Sequence, residues 1–101
     1  MIIYNVTVNI EDAQHEQWFE WMNAIHLPQV MATGMFLSYK MLKLISRQPD
    51  ETGTTYAIQY TCQSIELYDK YQNEFAPSLQ AETKKIFGDK IYAFRTVLEE
   101  V

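Results

Sequence analysis

From Ile2 to Ile10 apolar and polar side chains alternate. Ile2, Tyr4, Val6, Val8 and Ile10 share one side of a period-two pattern, and Ile3, Asn5, Thr7 and Asn9 share the other. This predicts a strand with one buried face. The period then changes. Asp12 is a suitable helix N-cap, and Trp18, Trp21, Met22 and Ile25 recur at helical spacing until Pro28, which disfavours helical geometry at Leu27. A first helix ending there is expected, with a short extra turn through Val30 to Gly34. Met35 to Arg47 reads as a second strand, Pro49-Asp50-Glu51-Thr52-Gly53 as a turn, and Thr54 to Cys62 as a third strand completing a hairpin.

Ser64 is placed to cap a second long helix carrying Leu67, Tyr68, Tyr71, Phe75, Leu79, Ile86 and Phe87 on one side. Pro77 lies inside it and predicts a break near Ala76, with Gly88 ending the second segment. A last strand from Lys90 to Leu98 completes the order βαββαβ. That order predicts an α+β, ferredoxin-like fold in which residues 1–101 form a single domain. Its four-stranded antiparallel sheet has the order 4-1-3-2, and both helices cross one face.

The other face of the sheet bears on assembly. Its centre is polar, through Asn5, Thr7, Asn9, Gln59 and Thr61. The edge strands are apolar on both sides, with Met35, Leu37, Tyr39 and Met41 opposed to Phe36, Leu42 and Leu44, and Tyr92, Phe94 and Leu98 opposed to Ile91 and Val97. A strand apolar on both sides requires cover on both, and a second copy of the sheet is the simplest cover. A homodimer is therefore expected.

Composition narrows the functional classes. The 101 residues carry 13 acidic and 8 basic side chains, a net charge of −5, which argues against nucleic acid as a partner. No apolar run approaches the ~20 residues of a membrane span, and the start Met1-Ile2-Ile3-Tyr4 lacks a signal-peptide pattern, so a cytoplasmic protein without membrane association is expected. Cys62 is the single cysteine, which suits a reducing compartment and excludes an internal disulfide. No metal-ligand spacing, Gly-rich phosphate loop or serine-nucleophile motif occurs, and neither metal nor cofactor is expected.

The candidate chemistry lies at His26, which follows both tryptophans and precedes Pro28. An imidazole against an apolar wall is suited to general acid–base work, since its ordinary pKa lies near neutrality. A helix C-terminus favours the cation and burial against Trp21 the neutral ring. The competing reading makes His26 a structural residue that bonds a carbonyl at the helix end. His15, among Glu11, Asp12 and Glu16, reads as solvated. Trp21, Tyr39 and Tyr92 are candidate ligand contacts, although core or interface roles suit the same rings. Arg95 alternates with Ala93 and Val97, so its guanidinium needs an anionic partner, either a ligand carboxylate or a glutamate of a second subunit. Cys62 opens the second helix, where a dipole lowers a thiol pKa, but a packed thiol is the simpler reading.

The order βαββαβ with a doubly apolar sheet resembles the dimeric α/β-barrel superfamily. Trp21 with His26-Leu27-Pro28 resembles the W-x-x-x-x-H-x-P pattern that ends the first helix in EthD-like members. Trp18, Gly34-Met35-Phe36, Phe75-Ala76-Pro77 and Phe87-Gly88-Asp89 extend the resemblance to a family of small bacterial proteins of unknown function. The superfamily includes cofactor-free monooxygenases, dehydratases, isomerases and haem degraders. Haem degraders use a histidine on the second helix, and this chain has none there. The resemblance implies a homodimer binding a small apolar or aromatic molecule, with cofactor-free chemistry at His26. The alternative is a non-catalytic dimer that binds a metabolite or protein.

Overall fold

Alternation along β1 (Ile2–Ile10) sends Ile2, Tyr4, Val8 and Ile10 into the core and leaves Asn5, Thr7 and Asn9 on the opposite face in the computed structural model, which describes residues 1–46 and 49–101. β1 pairs antiparallel with both β3 (Thr54–Cys62) and β4 (Ile91–Glu99), and β3 pairs with β2 (Ser38–Lys43). The sheet order is β2-β3-β1-β4. This is the expected α+β, ferredoxin-like sheet read from the opposite edge. Register aligns Val6 with Ile58 on one side and Arg95 on the other, so Arg95 shares the inward face with Tyr4, Val8, Tyr60 and Ala93.

The helical layer covers that face. α1 (His15–Trp21), a π-helical turn (Met22–His26) and α2 (Leu27–Ala32) form the first helical unit, and α3 (Ile65–Glu74) and α4 (Ala76–Phe87) form the second. Trp18, Trp21, Met22, Leu27 and Val30 from the first unit meet Tyr71, Ala76 and Phe87 from the second in one core with the inward strand residues. Burying a side chain such as Leu27 stabilises the fold by about 1.5–3 kcal/mol. Ser64 caps α3 by accepting from the Leu67 amide at 3.3 Å. The break before Pro77 occurs at Phe75, and Gly88 ends α4 with φ of 58°.

Four local expectations are corrected. Pro28 does not end the first helix. Leu27 is helical, with φ −59° and ψ −44°, because the turn before it widens and the Leu27 amide donates to the Met22 carbonyl five residues back. A wider turn relieves the crowding of the proline ring against the carbonyl four residues earlier, so the chain stays helical. Asp12 does not cap with its side chain. It begins a short 3₁₀ turn (Asp12–Gln14) that leads into α1. β2 starts at Ser38, not Met35, and Phe36 precedes it in the core, packed on Tyr60 and Tyr71 at 5.0 and 4.7 Å between ring centroids. The expected end of that strand at Arg47 lies outside the described residues. His15 is not simply solvated, since its Nε2 and the Tyr56 hydroxyl share a 2.7 Å hydrogen bond.

The outer sheet face has the expected polar centre. Asn5 Nδ2 donates to Thr7 Oγ1 and Thr96 Oγ1 at 3.0 and 3.3 Å. Around it Leu42, Leu44, Tyr92, Phe94 and Leu98 are exposed. Cys62 is fully buried, its single S–H having the Met35 and Ser64 carbonyls as acceptors at 3.4 and 3.2 Å from the sulfur, which makes it a packed group.

Candidate functional site

Between the sheet and the helical layer lies a cavity of about 60 Å³. Val6 and Val8 from β1, Ile58 from β3 and Met22 from the π-turn give it apolar surface, while Tyr4, Gln80, Thr83, His26 and Arg95 bring polar groups to it. An apolar cavity of roughly 150 Å³ takes a benzene ring. A group of a few heavy atoms therefore fits inside, and anything larger extends toward Arg95, which is exposed on β4.

The π-turn aims His26. Trp21 and His26 are five residues apart, which on a regular α-helix would separate their directions by about 140°. The i→i+5 turn instead sets one above the other, with ring centroids 4.8 Å apart and an interplanar angle of 24°. Trp21 is held by Phe87 edge-on at 5.2 Å. His26 Nδ1 is buried and has no hydrogen-bond partner among the described residues, so the imidazole caps none of their carbonyls through that atom. Burial, and secondarily the charge of Arg95, lowers the His26 pKa from its ordinary 6.5 to about 4. The helix does not end at His26, so the expected dipole effect in favour of the cation is not the deciding one.

The phenols form a second set of polar groups. Tyr4 stacks with Tyr60 at 5.8 Å and meets Tyr71 at the same distance. Burial raises the pKa of Tyr60 and Tyr71, and neighbouring phenols add to it, so both stay neutral. Burial raises Tyr4 as well, against the opposing influence of the Arg95 guanidinium and the Gln80 carboxamide, which lie near its hydroxyl.

Of the residues singled out from sequence, His26 and Arg95 come together at the cavity, with Trp21 directly behind His26. Tyr39 does not line it. It sits on β2 opposite Tyr60, ring centroids 6.4 Å apart. Tyr92 lies across the sheet, opposite Asn9 and 72% exposed, so its surface belongs to the outer face. Tyr4, Tyr71, Gln80 and Thr83 were not singled out as site residues. The inward alternation of β1 marks Tyr4, and the helical period marks Leu79 and Thr83 as neighbours on one face. Among the described residues no group of three or more His, Cys, Asp or Glu is placed to hold a metal ion. No helix among them is long and apolar enough to cross a membrane.

The family assignment covers the whole chain. This chain belongs to the family described as a domain of unknown function, DUF4286, whose model matches residues 1–101. It matches no curated protein. Solved structures extend the comparison of this DUF4286 chain at the level of fold. HapK from Hahella chejuensis aligns with a TM-score of 0.71 at 11% identity, covering 100% of this chain and 93% of that one. An ethyl tert-butyl ether D (EthD) family protein of Bacillus halodurans C-125 aligns at 0.67 with 12% identity over 100% of both chains. A dimeric ferredoxin-like protein from an uncultured marine organism aligns at 0.62 with 9% identity, covering 99% and 97%.

Proposed function

We propose that this protein is a cytoplasmic homodimer that binds a small, mostly apolar molecule in the cavity between sheet and helices, with His26 as its hydrogen-bonding and acid–base group. The observation that carries this reading is His26 in the lining of an apolar cavity together with Arg95, its imidazole kept neutral by burial. An apolar cavity with a few convergent polar groups and an imidazole of shifted pKa suits a small-molecule site. Trp21 is the supporting wall.

At neutral pH the imidazole is neutral, since its pKa lies at about 4. It then offers one lone pair and one N–H. A base this weak becomes effective only when a ligand's developing negative charge raises its pKa, so proton transfer in dehydration, isomerisation or oxygenation would depend on occupancy. Arg95 would stabilise that charge. No cofactor enters this chemistry.

The dimer rests on the outer face. Leu42, Leu44, Tyr92, Phe94 and Leu98 ring a polar centre, and a self-complementary sheet contact buries them. The dimeric ferredoxin-like neighbour supports the same assembly. A second reading, a non-catalytic dimer with a structural His26, draws on the Trp21 stack alone. Ala93→Leu tests the cavity on which the first reading rests. Ala93 lines the cavity, so filling it should abolish binding of small aromatic and aliphatic probes, read by Trp fluorescence, while stability is kept. Unchanged probe binding in Ala93→Leu contradicts the cavity reading.

A further inference from the structure

We propose that the cavity selects a small organic carboxylate, its carboxylate oxygens held by Arg95, Gln80 and Tyr4 and its apolar body lying against Val6, Val8, Met22 and Ile58. This rests on the cavity being a binding site and goes on to name the ligand's charge and orientation.

Three elements deliver the donors. Arg95 comes from β4, Gln80 from α4 and Tyr4 from β1, and all three line the cavity. The guanidinium and the carboxamide both lie near enough to the Tyr4 hydroxyl to favour its ionised form against burial. That hydroxyl is inward by strand alternation, and Arg95 stands one register position away, opposite Val6. Among the described residues Arg95 is the single charged side chain in the lining, and none there is Asp or Glu. The other titratable groups facing the cavity are His26 and the phenols Tyr4, Tyr60 and Tyr71, all neutral at pH 7. A guanidinium at the rim of an apolar chamber, with amide and phenol donors beside it, matches the planar, two-oxygen geometry of a carboxylate.

The charge count limits the ligand to a monoanion. One cation in a weakly polar site does not offset the desolvation of a dianion, and the chain's net charge of −5 further disfavours multiply charged anions. Size limits the enclosed part to a few heavy atoms, as the cavity of about 60 Å³ requires. Short aliphatic acids fit wholly, and benzoate fits with its carboxylate at the mouth and its ring only partly enclosed.

The test is calorimetric titration of the whole protein with butyrate and benzoate, each paired with its neutral amide at matched ionic strength. The carboxylates should bind at least about tenfold more tightly than the amides. Arg95→Gln should remove that difference, Arg95→Lys should keep part of it, and Tyr4→Phe should weaken the acids more than the amides. Thermal melts check that each variant folds, which the exposure of Arg95 favours. Equal affinity for acid and amide, or full carboxylate affinity in Arg95→Gln, overturns the proposal. If amides bind and acids do not, the anion assignment fails and the cavity remains a site. If none of the four binds, both readings fail.

Discussion

Trp21 and His26 stack at 4.8 Å because a π-turn, and not a regular α-helix, joins them. The tryptophan face excludes water from one side of the imidazole and so contributes to the burial that keeps it neutral. Trp21→Ala should destabilise the fold by about 3–5 kcal/mol. It should also raise the His26 pKa toward 6.5, since admitted water lowers the cost of the charged ring. Denaturant unfolding gives the first quantity and NMR titration of the imidazole the second. A His26 pKa unmoved by this substitution would assign the burial to other neighbours.

Stability should fall on both sides of neutrality, for opposite reasons. The His26 pKa is lower in the folded protein than the ordinary 6.5, so the unfolded chain takes up the proton first. Its contribution is fully present above pH 6.5 and is lost as pH falls toward 4, amounting to at most about 3 kcal/mol before allowance for solvent screening. Tyr60 and Tyr71 are raised above the usual 10.0. Their contribution is fully present below pH 10 and is lost as pH rises through their folded values. Urea midpoints across pH should trace this dome, and His26→Gln should flatten its acid side. An acid side unchanged in His26→Gln would locate acid sensitivity elsewhere.

Gly53 is fixed by close approach as well as by conformation. Its φ is 74°, and a Cβ there would stand 2.5 Å from the Ile10 carbonyl oxygen. Gly34 has a φ of 76°, and none of the described residues comes within 4 Å of a Cβ there. Gly53→Ala should therefore cost about 3 kcal/mol or more, and Gly34→Ala about 1–2 kcal/mol. Equal costs in chemical denaturation would show that the hairpin end yields without strain.

The outer face predicts assembly. Sedimentation at micromolar concentration should give twice the 11.9 kDa chain mass. Phe94, on the outer face opposite Thr7, should produce a folded monomer when replaced by Glu, because two carboxylates at a self-complementary contact repel. A parent protein that sediments as a monomer contradicts the dimer.

Element order was legible in the chain because each change of hydrophobic period coincides with a proline, glycine or capping residue. Ser64, Pro77 and Gly88 act where their local chemistry says. Pro28 misled because the bias of the residue before a proline against α geometry is only a preference, which Leu27 overrides, and the π-turn that makes room for the ring leaves no composition signal. His26 was legible as a candidate from its place between the tryptophans and Pro28, but its stacking on Trp21 was not, since a regular helix would turn the two side chains about 140° apart. The meeting of Arg95, Tyr4 and Gln80 was not, since it depends on strand register and on how α4 lies over β4, relations between distant segments. Phe36 turned inward because β2 begins later than alternation suggested.

The most direct test of a ligand-receiving cavity at His26 is NMR titration of the His26 imidazole with and without butyrate. Alone, the ring should titrate well below 6.5, near the value of about 4 set by burial and Arg95. With butyrate its pKa should rise, because a carboxylate beside it neutralises Arg95 and favours the imidazolium. Titration near 6.5 in the free protein, or a curve that butyrate leaves in place, contradicts the account.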